Sequence, residues 1–449
     1  MIQYIIGDKM FYISLWISKL YYRFIEKNKK SDKVGLLALK LDKNFLNKIN
    51  KPKIVIAVTG TNGKTTTCNL LKDILTNLGY TVASNSEGAN LKPGISKAFM
   101  KNVNIFNKTK ADIAIIEFDE LSSSILLPSL KPNYVVVTNL FLDTMHRNGH
   151  TDYVFNKINE GIPSYSKLIL NADDLISSML GNNNEKIYFS INKQKNEISK
   201  ESLVKDIRVC PKCYTNLEFN FNRYNHLGFA KCPKCNFKNP KPDYKLTNID
   251  YKNKKITINK EDYILLNDSI FNIYNELTII TILKELGIKN INKELKKVNI
   301  VKSRLNKEKI KDVTIIRQML KGQNAIACSR VFDTLNDIKE DMEIILLLDD
   351  IYDKTAPDRR EVTSYIYDTD FEYLNKKNIK KIILGGINSY DYKVRLLLSG
   401  IEDDKIIIEE NEIDTYKHLD YKYKNVIIIH DIYQNKNADT IISKIKEVL

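Results

Sequence analysis

The sequence predicts an α/β protein built as two successive sheet-containing domains, the first of them interrupted by a cysteine-rich insertion. Three observations lead there. Short Val/Ile runs alternate with amphipathic stretches from residue 53 onward, and the rhythm resumes after about residue 310. Continuous apolar runs of that length belong to strands covered on both faces, hence to parallel sheets. Between the two series, residues 207–242 lose the rhythm and bring four cysteines together with prolines and lysines. Finally, 449 residues exceed the size of one ordinary domain.

Residues 1–50 read as a helical, basic segment. Its "MFYISLWISKLYYRFIEKNKK" (10–30) is apolar and aromatic with basic punctuation. Two readings stand: a helix docked on its own domain, or an amphipathic helix in peripheral contact with a membrane. No small-residue cleavage site follows it, and no run of eighteen apolar residues occurs, so no transmembrane span is expected. Residues 51–305 form a central domain. Its strand candidates are "KIVIAVTG" (53–60), "ADIAIIEFD" (111–119), "NYVVVTN" (133–139) and "KLILNAD" (167–173), and "SIFNIYNELTIITILKELGI" (269–288) has helical spacing. Residues 306–449 repeat the pattern in "EIILLLDD" (343–350), "KKIILGG" (380–386), "DKIIIEE" (404–410) and "NVIIIHD" (425–431), a Rossmann-like C-terminal domain. No repeat of solenoid period is present.

The formal net charge is +15, spread along the whole chain. Such an excess suits nucleic acid, an anionic membrane surface or a phosphorylated substrate. Without a compact Lys/Arg block, it also reads as a plain Lys-, Asn- and Ile-rich composition.

"VTGTNGKTTTCNLL" (58–71) carries the strongest chemistry. A strand ends near Thr59, Gly60 and Gly63 permit a tight turn, and a helix starts near Lys64. The residues Gly60, Thr61, Asn62, Gly63, Lys64, Thr65 and Thr66 thus make a cradle whose backbone N–H groups and helix N-terminus attract a polyphosphate. Lys64 would neutralise the β/γ-phosphates of ATP and the Thr65 hydroxyl would ligate Mg²⁺. Val58 stands where the usual P-loop has a small residue. Phosphoryl transfer also needs a carboxylate for the metal. Glu117 ends its strand, where ligands bind in open α/β sheets; Asp119 and Glu120 follow it, each readable also as a helix-start cap.

The four cysteines Cys210, Cys213, Cys232 and Cys235 form C-x₂-C-x₁₈-C-x₂-C. Two such knuckles complete a tetrahedral Zn²⁺ site with no position left for water, hence a structural zinc ribbon. Paired disulfides and a basic nucleic-acid-binding ribbon are the alternatives.

"GTNGKTTT" resembles the ATP loop of the Mur ligases and folylpolyglutamate synthases, which join an amine to a carboxylate through an acyl phosphate. With "NSEGANLKPGI" (85–95), "IIEFDE" (115–120), "TNLFLDTMHRNGH" (138–150), "LILNADD" (168–174), "FNIYN" (271–275) and the cysteine insertion, the chain resembles the MurT family. These are the Mur-ligase-like subunits of lipid II isoglutaminyl synthases. The resemblance implies a Mur-ligase-type P-loop ATPase domain with Glu117 as a metal-binding glutamate. It also implies Asn272 and Asn275, on one face of their helix, near the nucleotide base, and Arg304 in "KSRL" as a phosphate clamp. Family members have "RDQ" where this chain has "LDT" (142–144).

Nothing in the chain looks like a glutamine-hydrolysing site. Cys328 has no nucleophile elbow around it and reads as buried, and His430 is not joined to it by any sequence feature. In the resembled family a class I glutamine amidotransferase subunit (GatD-like) supplies Cys and His, and the C-terminal domain lends a carboxylate. Aligning "TSYIYD" in "APDRREVTSYIYDTDFE" (356–372) brings that carboxylate to Glu361, with Asp358 as the fallback. The implied activity is ATP-dependent amidation of D-glutamate in the lipid II stem, with no nucleic acid partner, in the cytoplasm or at the inner face of the membrane. Rival readings are an amino-acid ligase of the Mur or folylpolyglutamate type and a zinc-ribbon nucleic-acid-binding ATPase.

Overall fold

The computed structural model describes residues 2–27, 31–85, 89–143, 150–298, 305–320, 323–349 and 363–449. Arg304, Asp358 and Glu361 lie outside the described residues. The chain divides into two compact units, one of 1–141, 151–200 and 206–300, the other of 142–150, 201–205 and 301–449.

The first unit holds a nine-stranded sheet. Its strands in chain order are β1 (Ile54–Thr59), β2 (Val82–Ser84), β3 (Ile113–Glu117), β4 (Tyr134–Val137), β5 (Lys167–Asn171) and β6 (Lys186–Ile191). A separate hairpin of β7 (Glu218–Tyr224) and β8 (Leu227–Lys231) follows, then β9 (Tyr244–Asp250), β10 (Lys255–Ile258) and β11 (Glu261–Ile264). The spatial order is β11-β10-β9-β6-β5-β4-β1-β3-β2. Strands β1 to β6 and β9 run parallel, as the apolar runs of β1, β3, β4 and β5 predict, because both sheet faces are covered there. The sheet is mixed rather than purely parallel: β10 pairs antiparallel with both β9 and β11. Strands β9 to β11, at one end of the sheet, carry polar residues on the face left to water, so they lack continuous apolar runs.

Helices Ile2–Tyr21 and Lys33–Leu41 pack onto this unit. Phe11, Leu15 and Val34 share a core with Val55, Ala114 and Val135 of the sheet. The helix read at 269–288 is observed as Ile270–Glu285, buried from Ile273 to Leu283.

The second unit carries a six-stranded sheet. Its strands are β12 (Leu305–Ile310), β13 (Val313–Leu320), β14 (Met342–Leu347), β15 (Ile379–Gly385), β16 (Ile406–Glu409) and β17 (Asn425–Asp431), in the order β12-β13-β17-β14-β15-β16. All neighbours are parallel except β12 with β13. Alternate residues of β14 enter different cores, Ile344 and Leu346 on one face, Ile345 and Leu347 on the other. That double burial is why these strands read as apolar runs without alternation.

Candidate functional site

The nine-stranded sheet places its chemistry where β1 meets the following helix. Register sets the first relation: Val58 of β1 lies opposite Glu117 of β3, so the glutamate stands at the mouth of the turn that leaves β1. The chain then passes through Gly60 (φ 129°) and Gly63 (φ 87°) into the helix Lys64–Asn77. Both angles lie where L side chains are strained. Space forbids a side chain as well. A Cβ on Gly60 would sit 2.2 Å from Thr138 Oγ1, and one on Gly63 2.1 Å from Asn275 Oδ1.

The turn is held by the residues that follow β4. Thr61 N–H donates to the Asn139 carbonyl at 2.9 Å, and Asn62 N–H to Asn139 Oδ1 at 2.9 Å. The Thr138 hydroxyl donates to the Asn62 carbonyl at 2.7 Å. Thr61 Oγ1 donates to the Phe141 carbonyl and accepts from its N–H. The first intrahelical bond runs from Thr67 N–H to the Gly63 carbonyl, so the amides of Lys64, Thr65 and Thr66 point out of the helix end, into the cradle. Aligned N–H groups with the positive end of the helix dipole form an anion site.

Lys64 folds back across the turn. Its Nζ lies 2.5 Å from the Gly60 carbonyl and 2.5 Å from Glu120 Oε1. Glu117 is buried, and its Oε2 has no hydrogen-bond partner among the described residues. Burial pushes the Glu117 carboxyl up; the Thr65 hydroxyl and the Lys64 charge oppose that, while Glu120 adds to it. Asn85 fixes the glutamate's backbone, accepting its N–H at 2.9 Å and donating to its carbonyl at 2.7 Å. A buried carboxylate oxygen without a proton donor, beside a threonine hydroxyl, is a donor set that fits Mg²⁺.

The structure therefore brings Gly60 to Thr66, Glu117 and Asn275 together. Asn272 lies half-buried one turn earlier on the Asn275 helix. Sequence reasoning left Glu120 open and missed Asn85, Thr138 and Asn139. Asp119 accepts from Leu121 N–H at 3.0 Å and so caps the short helical turn 120–122.

The cysteine insertion is tied to the same turn. Asp174 accepts from Leu140 N–H at 2.7 Å and lies 2.8 Å from His226 Nε2, while the Phe141 ring packs 5.0 Å from His226. Asp173 accepts from Ser190, Ile191 N–H and Tyr274, and Arg223 reaches Tyr274 and Glu197. Both aspartates of "NADD" are thus hydrogen-bonded supports of the β7–β8 hairpin.

Beside the hairpin, the Sγ atoms of Cys210, Cys213, Cys232 and Cys235 all lie within 4.8 Å of one another. Three separations are 3.4, 3.5 and 3.7 Å. A tetrahedral centre with Zn–S bonds of about 2.3 Å needs sulfurs about 3.8 Å apart. The Lys212 and Lys234 N–H groups donate to Cys210 and Cys232 Sγ, as knuckles holding thiolates require. No pair stands at the roughly 2.05 Å of a disulfide. The donor set fits a divalent metal.

In the second unit, Cys328 is fully buried and its thiol pushed up by that burial, with the Asp431 charge adding to it. His430 accepts at Nε2 from Arg317 Nε and binds the Asp431 carbonyl through Nδ1. Neither geometry is that of a nucleophile and its base.

Known proteins resemble this chain in sequence and fold. Residues 58–226 match the Mur ligase middle domain and residues 322–433 the MurT ligase C-terminal domain. The lipid II isoglutaminyl synthase (glutamine-hydrolyzing) subunit MurT of Staphylococcus aureus is 32% identical over 89% of this chain and 90% of its own length.

The chain belongs to the MurT family.

The Streptococcus pneumoniae MurT subunit is 28% identical over 88% of each chain. Among solved structures, a pseudomurein peptide ligase type C from Methanothermus fervidus shares the fold, with a TM-score of 0.65, 24% identity and coverage of 94% of this chain and 86% of that one. Membership makes the chain an ATP-dependent ligase. Among the described residues, no helix is long and apolar enough to cross a membrane.

Proposed function

We propose that this MurT-family chain is the ligase subunit of a glutamine-hydrolysing synthase that amidates the D-glutamate α-carboxylate of lipid II. The reading rests on one observation above the others: Lys64, the outward amides of Lys64–Thr66 and the buried, donor-free oxygen of Glu117 converge on one turn.

ATP is the co-substrate. The amides of the cradle hold its phosphates, Lys64 exchanges its internal partners for phosphate oxygens, and Asn272, Asn275 and Arg304 complete the nucleotide contacts. Mg²⁺ held by Thr65 and Glu117 supplies charge neutralisation for the transferring phosphoryl group. A carboxylate oxygen of the substrate attacks the γ-phosphorus and ADP leaves. Ammonia then attacks the acyl carbon of the acyl phosphate, inorganic phosphate leaves with the C–O bond, and the nitrogen loses a proton to give D-isoglutamine. Zn²⁺ on the four cysteines of the ribbon is structural, and the Rossmann-like domain 306–449 faces a GatD-like glutaminase that supplies the ammonia.

The partner's Cys and His would need a third member to orient the imidazole. Glu361 takes that role in this reading, with Asp358 as the alternative. The test is glutamine- and ammonia-driven amidation of lipid II by the two-subunit complex. Glu361→Ala should abolish the glutamine-driven reaction and spare the ammonia-driven one. Undiminished glutamine use would remove Glu361 from the triad, and amide formation from neither source would remove the ligase assignment.

A further inference from the structure

We propose that the helix Ile2–Tyr21 and the neighbouring turn 104–107 form a docking face for an anionic lipid bilayer. The helix is apolar on two sides. One side, with Phe11 and Leu15, is buried in the core of its unit. The other repeats at helical spacing through Met10, Ile13, Ile17 and Leu20 to Phe24, and every one of these is exposed. Phe24 is 75% exposed, and Phe106, at the tip of the turn, 72%. The Trp16 indole N–H donates to the Ile105 carbonyl at 2.8 Å, which joins turn and helix into one apolar patch. A cluster of large apolar side chains left in water at this scale marks an interaction surface.

Charge selects the occupant. Lys9 is exposed on the helix, Arg23 and Lys27 on the π-helical segment Tyr22–Glu26 and the residue after it, and Lys101, Lys108 and Lys110 beside the turn. Lys101 lies 5.6 Å from the Tyr22 ring, so the two groups share one rim. Within residues 9–27 and 101–110 the only acidic residue is Glu26, which is buried and paired with Lys97. An apolar stripe with a tryptophan, rimmed by cations and without an exposed carboxylate within residues 9–27 and 101–110, matches an anionic headgroup layer over acyl chains. A protein partner for such a face would need to present acids around an apolar centre. The bilayer offers both at once, and it is where a lipid-linked substrate resides; in that respect the inference rests on the lipid II reading.

The chain has a single tryptophan, Trp16, which makes the test direct. The full chain is mixed with vesicles of phosphatidylglycerol and phosphatidylcholine, or phosphatidylcholine alone, without nucleotide or substrate. Co-sedimentation with the anionic vesicles and a blue shift of tryptophan emission are expected, both reduced at high salt. Phe24→Glu with Phe106→Glu should weaken binding at least about tenfold, since each such residue loses its apolar contact and adds repulsion. Their exposure predicts an unchanged Tm. Absence of both co-sedimentation and shift in the native chain would overturn the proposal. So would a shift that grows with protein concentration without lipid, which would assign the face to a second copy. ATP affinity, measured separately, reports on the ligase reading alone.

Discussion

Lys64 and Glu117 carry the account at the scale of single residues. Lys64→Ala should lower kcat/KM for ATP by about 100-fold or more, the usual loss when a donor to a transferring group is removed, and nucleotide titration with steady-state kinetics would measure it. Gly63→Ala should also abolish ATP binding, because its Cβ meets Asn275 Oδ1 and its φ is positive. Adding Asn275→Ala relieves the clash but not the backbone strain, so affinity in the double variant should recover only in part. Full recovery would mean that steric contact alone set the glycine. The cradle was legible in the sequence because strand end, glycines and lysine sit within eight residues. Glu120, Thr138 and Asn139 were not, because their contacts to the turn span 56 to 77 positions and only the parallel register brings them there.

At the scale of elements, the cysteine knuckles and the helix Ile270–Glu285 each make a prediction. Purified protein should hold one zinc per chain by elemental analysis, and Cys232→Ser should lose the metal and lower Tm. Since the hairpin supports Phe141 and Leu140 beside the turn, metal loss should also raise KM for ATP; an unchanged KM would detach the insertion from the site. In the long helix, burial pushes the Glu276 carboxyl up from its ordinary 4.5 to about 8, against a single hydrogen bond from Leu266 N–H. The folded state therefore holds a proton that the unfolded chain has released between those values. Stability is fully present below pH 4.5 and is lost as pH rises through 8. Glu276→Gln should flatten this dependence, raising Tm at pH 8.5 relative to the native chain while leaving acidic pH nearly unchanged. Strands covered on both faces announced themselves as Val/Ile runs. Strands β9 to β11, at one end of the sheet, did not, since most of their side chains meet water.

For the whole molecule, the family reading joins a carboxylate-activating unit to a second α/β unit in which Cys328 is buried and His430 is hydrogen-bonded to Arg317 and the Asp431 carbonyl. The sequence carried the α/β class and the Mur-ligase-like fold. It could not carry how the insertion braces the nucleotide turn, because that bracing is made by Asp174, His226 and Phe141, distant in the chain and chemically ordinary. The proposed reaction passes the γ-phosphoryl group of ATP to the carboxylate of the substrate. It is tested by amidating lipid II whose D-glutamate carboxylate is labelled with ¹⁸O, with ammonia as nitrogen source, and weighing the inorganic phosphate released. One labelled oxygen per phosphate is the predicted result; phosphate free of label, with amide formed, would contradict it.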